Sequence, residues 1–288
     1  MSSASFKEIL HSCVLCGHQC KVDRFLGEKG KCGAGIEIKI SSFAPHYGEE
    51  PELVGRFGSG TIFFTGCNLA CVFCQNYDIS HTGRGVKVTE EGLTKIMLDL
   101  QLRGCHNINW VSPTHYVPLL LPALAKAREQ GLEIPLVYNT GGYDSLEALQ
   151  MLSGWVEIYM PDAKYGDSGA AKKYSGAPDY WEVCRRGLEE MHRQVGDLVV
   201  ENGIAKRGLL VRHLVLPDDI ASSMEVFKFI AETISVDTYI NIMDQYRPCY
   251  QAAEYPELNS AITREEYDAA ILLAKNYGLH LGFSSFWV

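Results

Sequence analysis

From about residue 61 onward the chain alternates short apolar runs with longer stretches whose apolar residues recur every three or four positions. The runs are "TIFF" at 61–64, "NINWV" at 107–111, "LVYN" at 136–139, "VEIYM" at 156–160, "LLVRHLVL" at 209–216 and "YINIM" at 239–243. "LHLGF" at 279–283 is a candidate for one further short strand. Helical patterns fall between them, at 89–103 after the cap Thr89, 116–130, 144–152 after Asp144, 179–195, 222–232 after Ser222, and 263–277 after the capping-box sequence "TREE". Strand and helix in steady alternation predict βα repeats around a parallel sheet. Six such repeats predict an α/β fold, a partial (β/α)6 TIM-type barrel with one side open. In such folds the chemistry sits beyond the C-terminal ends of the strands, so the residues just after each apolar run matter most.

Residues 13–35 break this pattern, being rich in Cys, Gly and charge with no period able to build a core. Something other than apolar burial must hold them. The expected division is a small cysteine-rich metal-binding segment over 1–55 and the barrel over 56–288. With 288 residues, 47% hydrophobic and 21% charged, the chain is long enough for one large α/β domain plus an appendage. The net charge of -9, with no Lys/Arg cluster, argues against nucleic acid as the partner. No apolar stretch reaches the ~20 residues that span a bilayer, and the N-terminus lacks a signal-peptide core. A cytosolic protein is therefore expected, whose ten cysteines serve as metal ligands and buried thiols rather than disulfides.

Seven of these cysteines fall in two groups. Cys67, Cys71 and Cys74 in "TGCNLACVFCQN" directly follow the first strand, in the spacing C-x3-C-x2-C. Three thiolates there can fold around one [4Fe-4S] cube and ligate three of its irons, leaving the fourth open. A zinc site would need a fourth ligand, for which His81 is the local candidate. Cys13, Cys16, Cys20 and Cys32, in "CVLCGHQCKVDRFLGEKGKC", are four soft ligands on a tight turn plus a later return. That set suits structural zinc, the first expectation, or an auxiliary [4Fe-4S] cluster.

"GCNLACVFCQN" resembles the cluster motif of the radical S-adenosylmethionine (SAM) superfamily. The resemblance implies that the open iron is chelated by the amino and carboxylate groups of SAM. Reductive cleavage then yields methionine and a 5'-deoxyadenosyl radical that abstracts a hydrogen atom. It implies also that Phe73 packs near the adenine. "YMPDAKY", with Asp162 and Lys164, is similar to the D-x-K motif of glycyl-radical-enzyme activases, where these groups contact SAM or a nearby cation. "YNTGGY" resembles their T-N-G turn, implying hydrogen bonds from Asn139 and Thr140, and "VRHLVLP" resembles their "RYVVVP" strand, implying that Arg212 meets the SAM carboxylate. The family's acidic turn after the second strand is replaced by "VSPTHY", so Ser112, Thr114 and His115 are the candidates for holding the SAM amino group.

With "MDQYRP" added, these motifs are similar over essentially the whole chain to the PflX-like branch, proteins likened to pyruvate-formate-lyase-activating enzymes. The resemblance implies a radical SAM enzyme that takes a hydrogen atom from a glycine of a glycyl radical enzyme, or else from a small metabolite or peptide. It implies a reductant such as flavodoxin or ferredoxin. A metal-holding electron-transfer scaffold without catalysis is the competing class. His115, Tyr116, Tyr143, Asp244, Gln245, Tyr246 and Arg247, at or near strand ends, are the candidates to face the substrate.

Overall fold

A computed structural model of the chain describes residues 6–283. Its centre is a nine-stranded sheet: β1 (Ile38–His46), β2 (Ser59–Phe64), β3 (Val86–Val88), β4 (Ile108–Val111), β5 (Leu136–Thr140), β6 (Ile158–Pro161), β7 (Val199–Glu201), β8 (Ile204–Leu214) and β9 (Tyr239–Met243). The strands β2, β4, β5, β6, β8 and β9 pair in parallel in that order, and they are the six expected from the apolar runs. No ladder joins β9 back to β2 among the described residues, so the barrel is not closed. Alternation along the strands divides the core in two. Ile62, Phe64, Trp110, Leu136, Tyr138, Val211 and Ile242 pack outward under the helices, while Val137, Ile158, Met160, Leu210 and Tyr239 face inward with Leu53. Both faces being buried is why these strands read as continuous apolar runs.

The helices follow the caps closely. Thr89 accepts from the Gly92 N–H at the start of Glu90–Leu102, and Thr263 and Glu266 form a reciprocal capping box before Arg264–Asn276. Two expected caps are corrected. Ser145, not Asp144, caps Leu146–Leu152 by accepting from the Ala148 N–H, and Ser222 sits at a positive φ with no capping bond. The helix expected over 222–232 is Ser223–Phe229 continued by a π turn at Ile230–Ile234.

"LHLGF" forms no strand; residues 279–283 run beside β9 with a single backbone bond, from Ile240 N–H to Leu281 O. Three antiparallel strands (β1, β3, β7) and the helix Ser168–Ser175 lie outside the expected set. β1 hydrogen-bonds to β2, so residues 38–46 belong to the sheet rather than to the cysteine-rich segment. Beyond β1 the chain crosses toward the far edge, where Tyr239 Oη donates to Glu52 and Asn241 Nδ2 donates to Glu50 (2.8 Å), so the segment spans the open side of the barrel.

Two histidines are buried in this frame. His213 contacts Ala163 O (2.7 Å) and Ser223 Oγ (3.0 Å), and His115 contacts Thr65 O (2.8 Å). Burial pulls both imidazoles down to about 4. Because the folded values lie below the unfolded one near 6.5, the unfolded chain binds protons first, and their contribution is complete above pH 6.5 and lost as pH falls toward 4. The expected loss approaches ~3 kcal/mol per histidine at pH 4. Urea denaturation should show stability declining already between pH 6.5 and 5.5, above the range where most carboxylates titrate; a flat profile there would refute neutral burial.

Candidate functional site

β2 ends at Phe64, and the chain then turns at Gly66, whose φ is +82° and where a Cβ would stand 2.8 Å from Cys32 O. Only glycine fits both conditions. The following loop carries Cys67, Cys71 and Cys74. It is fixed by Ala70 N–H to Ser175 O (3.0 Å), Val72 N–H to Tyr174 O (2.9 Å) and Asn68 Nδ2 to Tyr143 O (3.0 Å). The three thiols line one cavity of ≈ 250 Å³ beyond the strand ends. Each already has a hydrogen-bonding neighbour: Leu69 N–H at Cys67 (3.4 Å), Ser175 Oγ–H at Cys71 (2.9 Å) and Ser80 Oγ at Cys74 (3.2 Å). Burial pushes the Cys67 thiol up to about 12 and raises Cys71. At Cys74 burial also opposes ionisation, but hydrogen bonds from His81 and Ser80 outweigh it and the thiol lies below its ordinary value. His81 thus supports Cys74 and, through Nε2, contacts Cys71 O at 3.2 Å.

Opposite the thiols, four strands deliver a polar network. Asp162, just past β6, takes Lys164 Nζ at 2.5 Å and Arg212 Nε at 2.7 Å, and Arg212 Nη2 donates to Asn139 Oδ1 at 2.8 Å. Burial disfavours every charge here. The Arg212 and Lys164 cations nevertheless hold the Asp162 carboxyl below its usual range, and Asp162 raises both cations in turn. Ser112 sits at the end of β4 with φ +54°, its N–H bonded to Asn139 O (2.9 Å). Such backbone strain in a non-glycine residue gathers at binding sites.

The cavity is therefore lined by eight of the expected residues besides the cysteines: Phe73, Ser112, Asn139, Thr140, Asp162, Lys164, Arg212 and Gln245. Phe73 also meets the rings of Tyr165 and Tyr246, so it serves both core and cavity. Others point elsewhere. Thr114 Oγ1 donates to Asp144 (2.7 Å), beside donors Tyr138 Oη (2.8 Å) and Thr140 Oγ1 (2.6 Å), so it is spent on a buried carboxylate and lies outside the cavity. His115 is buried behind the cluster loop, and Tyr116 lines a different cavity beside Cys32 and Gly66. Tyr143 donates to Asp179 and packs over Gly17. Tyr246 donates to Leu258 O (2.7 Å), Asp244 is buried outside the cavity, and Arg247 is exposed outside it. These residues lie beyond the strands proper, Thr114, His115 and Tyr116 in a 3-10 turn, and sequence does not say which residues of such a segment turn inward.

Sequence reasoning missed Ser80 and Ser175, which serve the thiols, and Gln75 and Met243, which line the cavity. It also missed Glu49, 3.6 Å from Arg212. Nothing in "HYGEEPEL" separates these acids from a helix start with Pro at its first position.

The N-terminal cysteines come together on the flank of this loop, held by Gly17 N–H to Tyr143 O (3.3 Å) and Ser145 N–H to Leu15 O (3.2 Å). Burial raises Cys16 to about 12 and raises Cys32, with Cys13 and Cys20 adding like-charge repulsion to both. The buried Arg24 donates Nη2 to Cys13 Sγ (3.0 Å) and Nη1 to His115 O (2.5 Å), tying the N-terminal cysteines to the turn after β4. Among the described residues no three His, Cys, Asp or Glu side chains are gathered tightly enough to enclose a single metal ion.

The family model described as the Radical SAM superfamily matches residues 61–230 of this chain. The chain belongs to the radical SAM superfamily. It is 34% identical over 285 residues to the uncharacterized protein MJ0674 of Methanocaldococcus jannaschii, covering 96% of this chain and 78% of that one. Its fold is similar to the [FeFe]-hydrogenase maturase HydG (TM-score 0.53, 10% identity, 76% of this chain and 49% of that one). It is similar likewise to Streptococcus suis SuiB, solved bound to precursor peptide SuiA (TM-score 0.50, 13% identity, 76% and 46%). The chain spans about half the length of these two structures.

Radical SAM membership implies a [4Fe-4S] cluster and SAM, and the cavity fits both. Three thiols with hydrogen-bond donors and the Lys164 cation nearby suit an anionic cluster held at three corners. The Arg212, Asn139 and Ser112 side of the same cavity offers a cation and neutral polar groups for an amino-acid moiety, and Phe73 offers an aromatic face.

Proposed function

We propose that the chain is a radical SAM enzyme of the glycyl-radical-enzyme-activase type. When bound, the cluster and SAM supply one-electron reductive cleavage to methionine and a 5'-deoxyadenosyl radical that takes a hydrogen atom from a substrate C–H bond. The chain's residues do the rest. Cys67, Cys71 and Cys74 hold the cluster, Arg212 meets the SAM carboxylate by a charge-assisted hydrogen bond, Ser112 and Asn139 orient the methionine half, and Phe73 packs near the adenine. Walls contributed by Leu69, Val111 and Leu214 keep water from the reacting atoms. The electron comes from a flavodoxin- or ferredoxin-like reductant.

The observation that carries this reading is the meeting of three thiols and the Asp162–Lys164–Arg212–Asn139 network in one cavity. A scaffold that merely stores metal has no use for the second half. A glycine of a protein partner is the substrate suggested by the D-x-K motif. Chemistry on a small molecule or peptide is the second reading, favoured by a further chamber of ≈ 330 Å³ that opens beside the cavity. The N-terminal Cys13, Cys16, Cys20 and Cys32 are assigned to structural zinc or an auxiliary [4Fe-4S] cluster on the chemistry of four soft ligands in one short segment with the Arg24 cation beside Cys13 and Cys32; the thiols stand wider apart here than one zinc ion needs.

Anaerobically reconstituted protein given dithionite and SAM should form 5'-deoxyadenosine; protein that keeps its cluster yet never cleaves SAM would falsify the proposal. Metal analysis separates the N-terminal alternatives: about four irons and one zinc per chain in one case, about eight irons in the other. Electron paramagnetic resonance of mixtures with candidate glycyl radical enzymes tests the protein-substrate reading. Among the described residues, no helix is long and apolar enough to cross a membrane.

A further inference from the structure

We infer that the chamber built around Glu49 and Glu50, alongside the cavity of the three cysteines, binds the protonated amine of the substrate. The inference rests on the radical SAM reading above and names the class of substrate it acts on.

The chamber is lined by Glu49, Glu50, Asn241, Arg212, Met243 and Gln245, and it shares the last three with the cysteine cavity. A molecule seated in it therefore reaches the place where the radical forms. Its acids come from the segment that leaves β1 and spans the open side of the barrel, with Glu49 Oε2 3.6 Å from Arg212 Nη1 and Glu50 Oε1 accepting from Asn241 Nδ2 at 2.8 Å. Glu50 is only 4% exposed, and its Oε2 has no hydrogen-bond partner. Leaving a buried carboxylate oxygen unpaired is costly, so a buried acceptor of this kind marks a place where a donor is to be supplied.

Charge points the same way. Asp162, Glu49 and Glu50 are three carboxylates gathered on two cations, Lys164 and Arg212, and Arg212 already spends its close contacts on Asp162 and Asn139. Burial, with Glu50 and Asp162 adding repulsion, pushes the Glu49 carboxyl up to about 7 even though Arg212 draws it down. One acidic group is thus in surplus. A compact ammonium with three donors answers both the surplus and the unpaired Oε2, while Met243 and Pro51 give its carbon chain an apolar wall. The chamber contains no cysteine, and of the residues assigned above to SAM it shares only Arg212, which forms the wall between the two.

The test uses anaerobic holoprotein saturated with SAM and three probes: n-pentylamine, its neutral isostere n-pentanol, and the peptide acetyl-Gly-Gly-Lys-Gly-Gly-amide. Ligand-observed NMR should show the amine binding about tenfold or more tightly than the alcohol, and Glu50→Gln and Glu49→Gln should each erase that preference. The two acids are changed separately, with folding checked by thermal melting, so that one failed variant leaves the other decisive. Binding of the peptide, or of the free amine alone, tells whether the amine is carried by a polypeptide or a metabolite.

Equal binding of amine and alcohol overturns the inference, as does an amine preference that survives in both variants. So does a loss of SAM affinity in Glu50→Gln as large as the loss for the amine, which would assign the carboxylate to SAM itself. Dithionite-driven SAM cleavage by the unaltered protein without probe is measured separately. Its absence refutes the radical reading while an amine preference still stands.

Discussion

Cys71→Ala is expected to abolish SAM cleavage, with 5'-deoxyadenosine formation falling by ~10³-fold or more, while the fold survives. Two thiolates cannot hold the cube that three were placed to hold, and without the cluster no residue of the chain supplies an electron path to the sulfonium. The structural cost is small by comparison. Cys71 is a small buried side chain whose one side-chain partner is the Ser175 hydroxyl, and the loop around it is held mainly by backbone bonds at Ala70 and Val72. Circular dichroism should stay native, with a loss of about 1–2 kcal/mol in denaturation experiments. Iron should drop by about four atoms per chain if the site holds one cube. Retained cleavage in this variant would remove the three-cysteine cavity from the reaction.

Asp162→Ala is expected to carry the largest stability cost of any single change in the cavity, about 3–5 kcal/mol. The carboxylate lies between Lys164 Nζ (2.5 Å) and Arg212 Nε (2.7 Å), two cations that burial alone would disfavour. Removing the carboxylate strands Lys164 and leaves Arg212 with only the more distant Glu49, 3.6 Å away, for an ion pair. Asp162→Asn keeps the shape and separates the effects, since the amide accepts one hydrogen bond yet cannot balance two charges. SAM affinity should fall most in Asp162→Ala, where Arg212 loses the bond at Nε that holds it against Asn139, and less in Asp162→Asn, where that bond can persist without its charge. Urea denaturation together with SAM titration checks this. A stability change under about 1 kcal/mol for Asp162→Ala would show that the network is solvated rather than buried.

Part of this was legible along the chain. The six parallel strands appear as apolar runs because both of their faces are covered, and the helix caps at Thr89 and Thr263 were readable because a cap is a contact between residues three apart. The spacing of Cys67, Cys71 and Cys74 was legible for the same reason: one short loop carries all three thiols. β1 escaped because "IKISSFAPH" is a half-exposed antiparallel strand whose apolar alternation is broken by two serines. Asp144 looked like a helix cap and proved to be a buried acceptor for three hydroxyls, two of them from β5. Local pattern offers no warning of that.

The sequence by itself determined the parallel α/β core, the grouping of the cysteines and the identity of the strand-end residues Asn139, Asp162, Lys164 and Arg212, since each is carried by a contiguous motif. Tertiary structure alone decided which neighbours face the cavity. It turned Ser112 inward and Thr114 away, put His115 behind the cluster loop, and brought Glu49 and Glu50 to Arg212 across more than 160 positions of chain. The physical reason is one of range. Helix and strand periods, caps and short ligand loops are settled by residues a few positions apart, whereas a charge network and a chamber depend on which distant segments the packed barrel brings into contact.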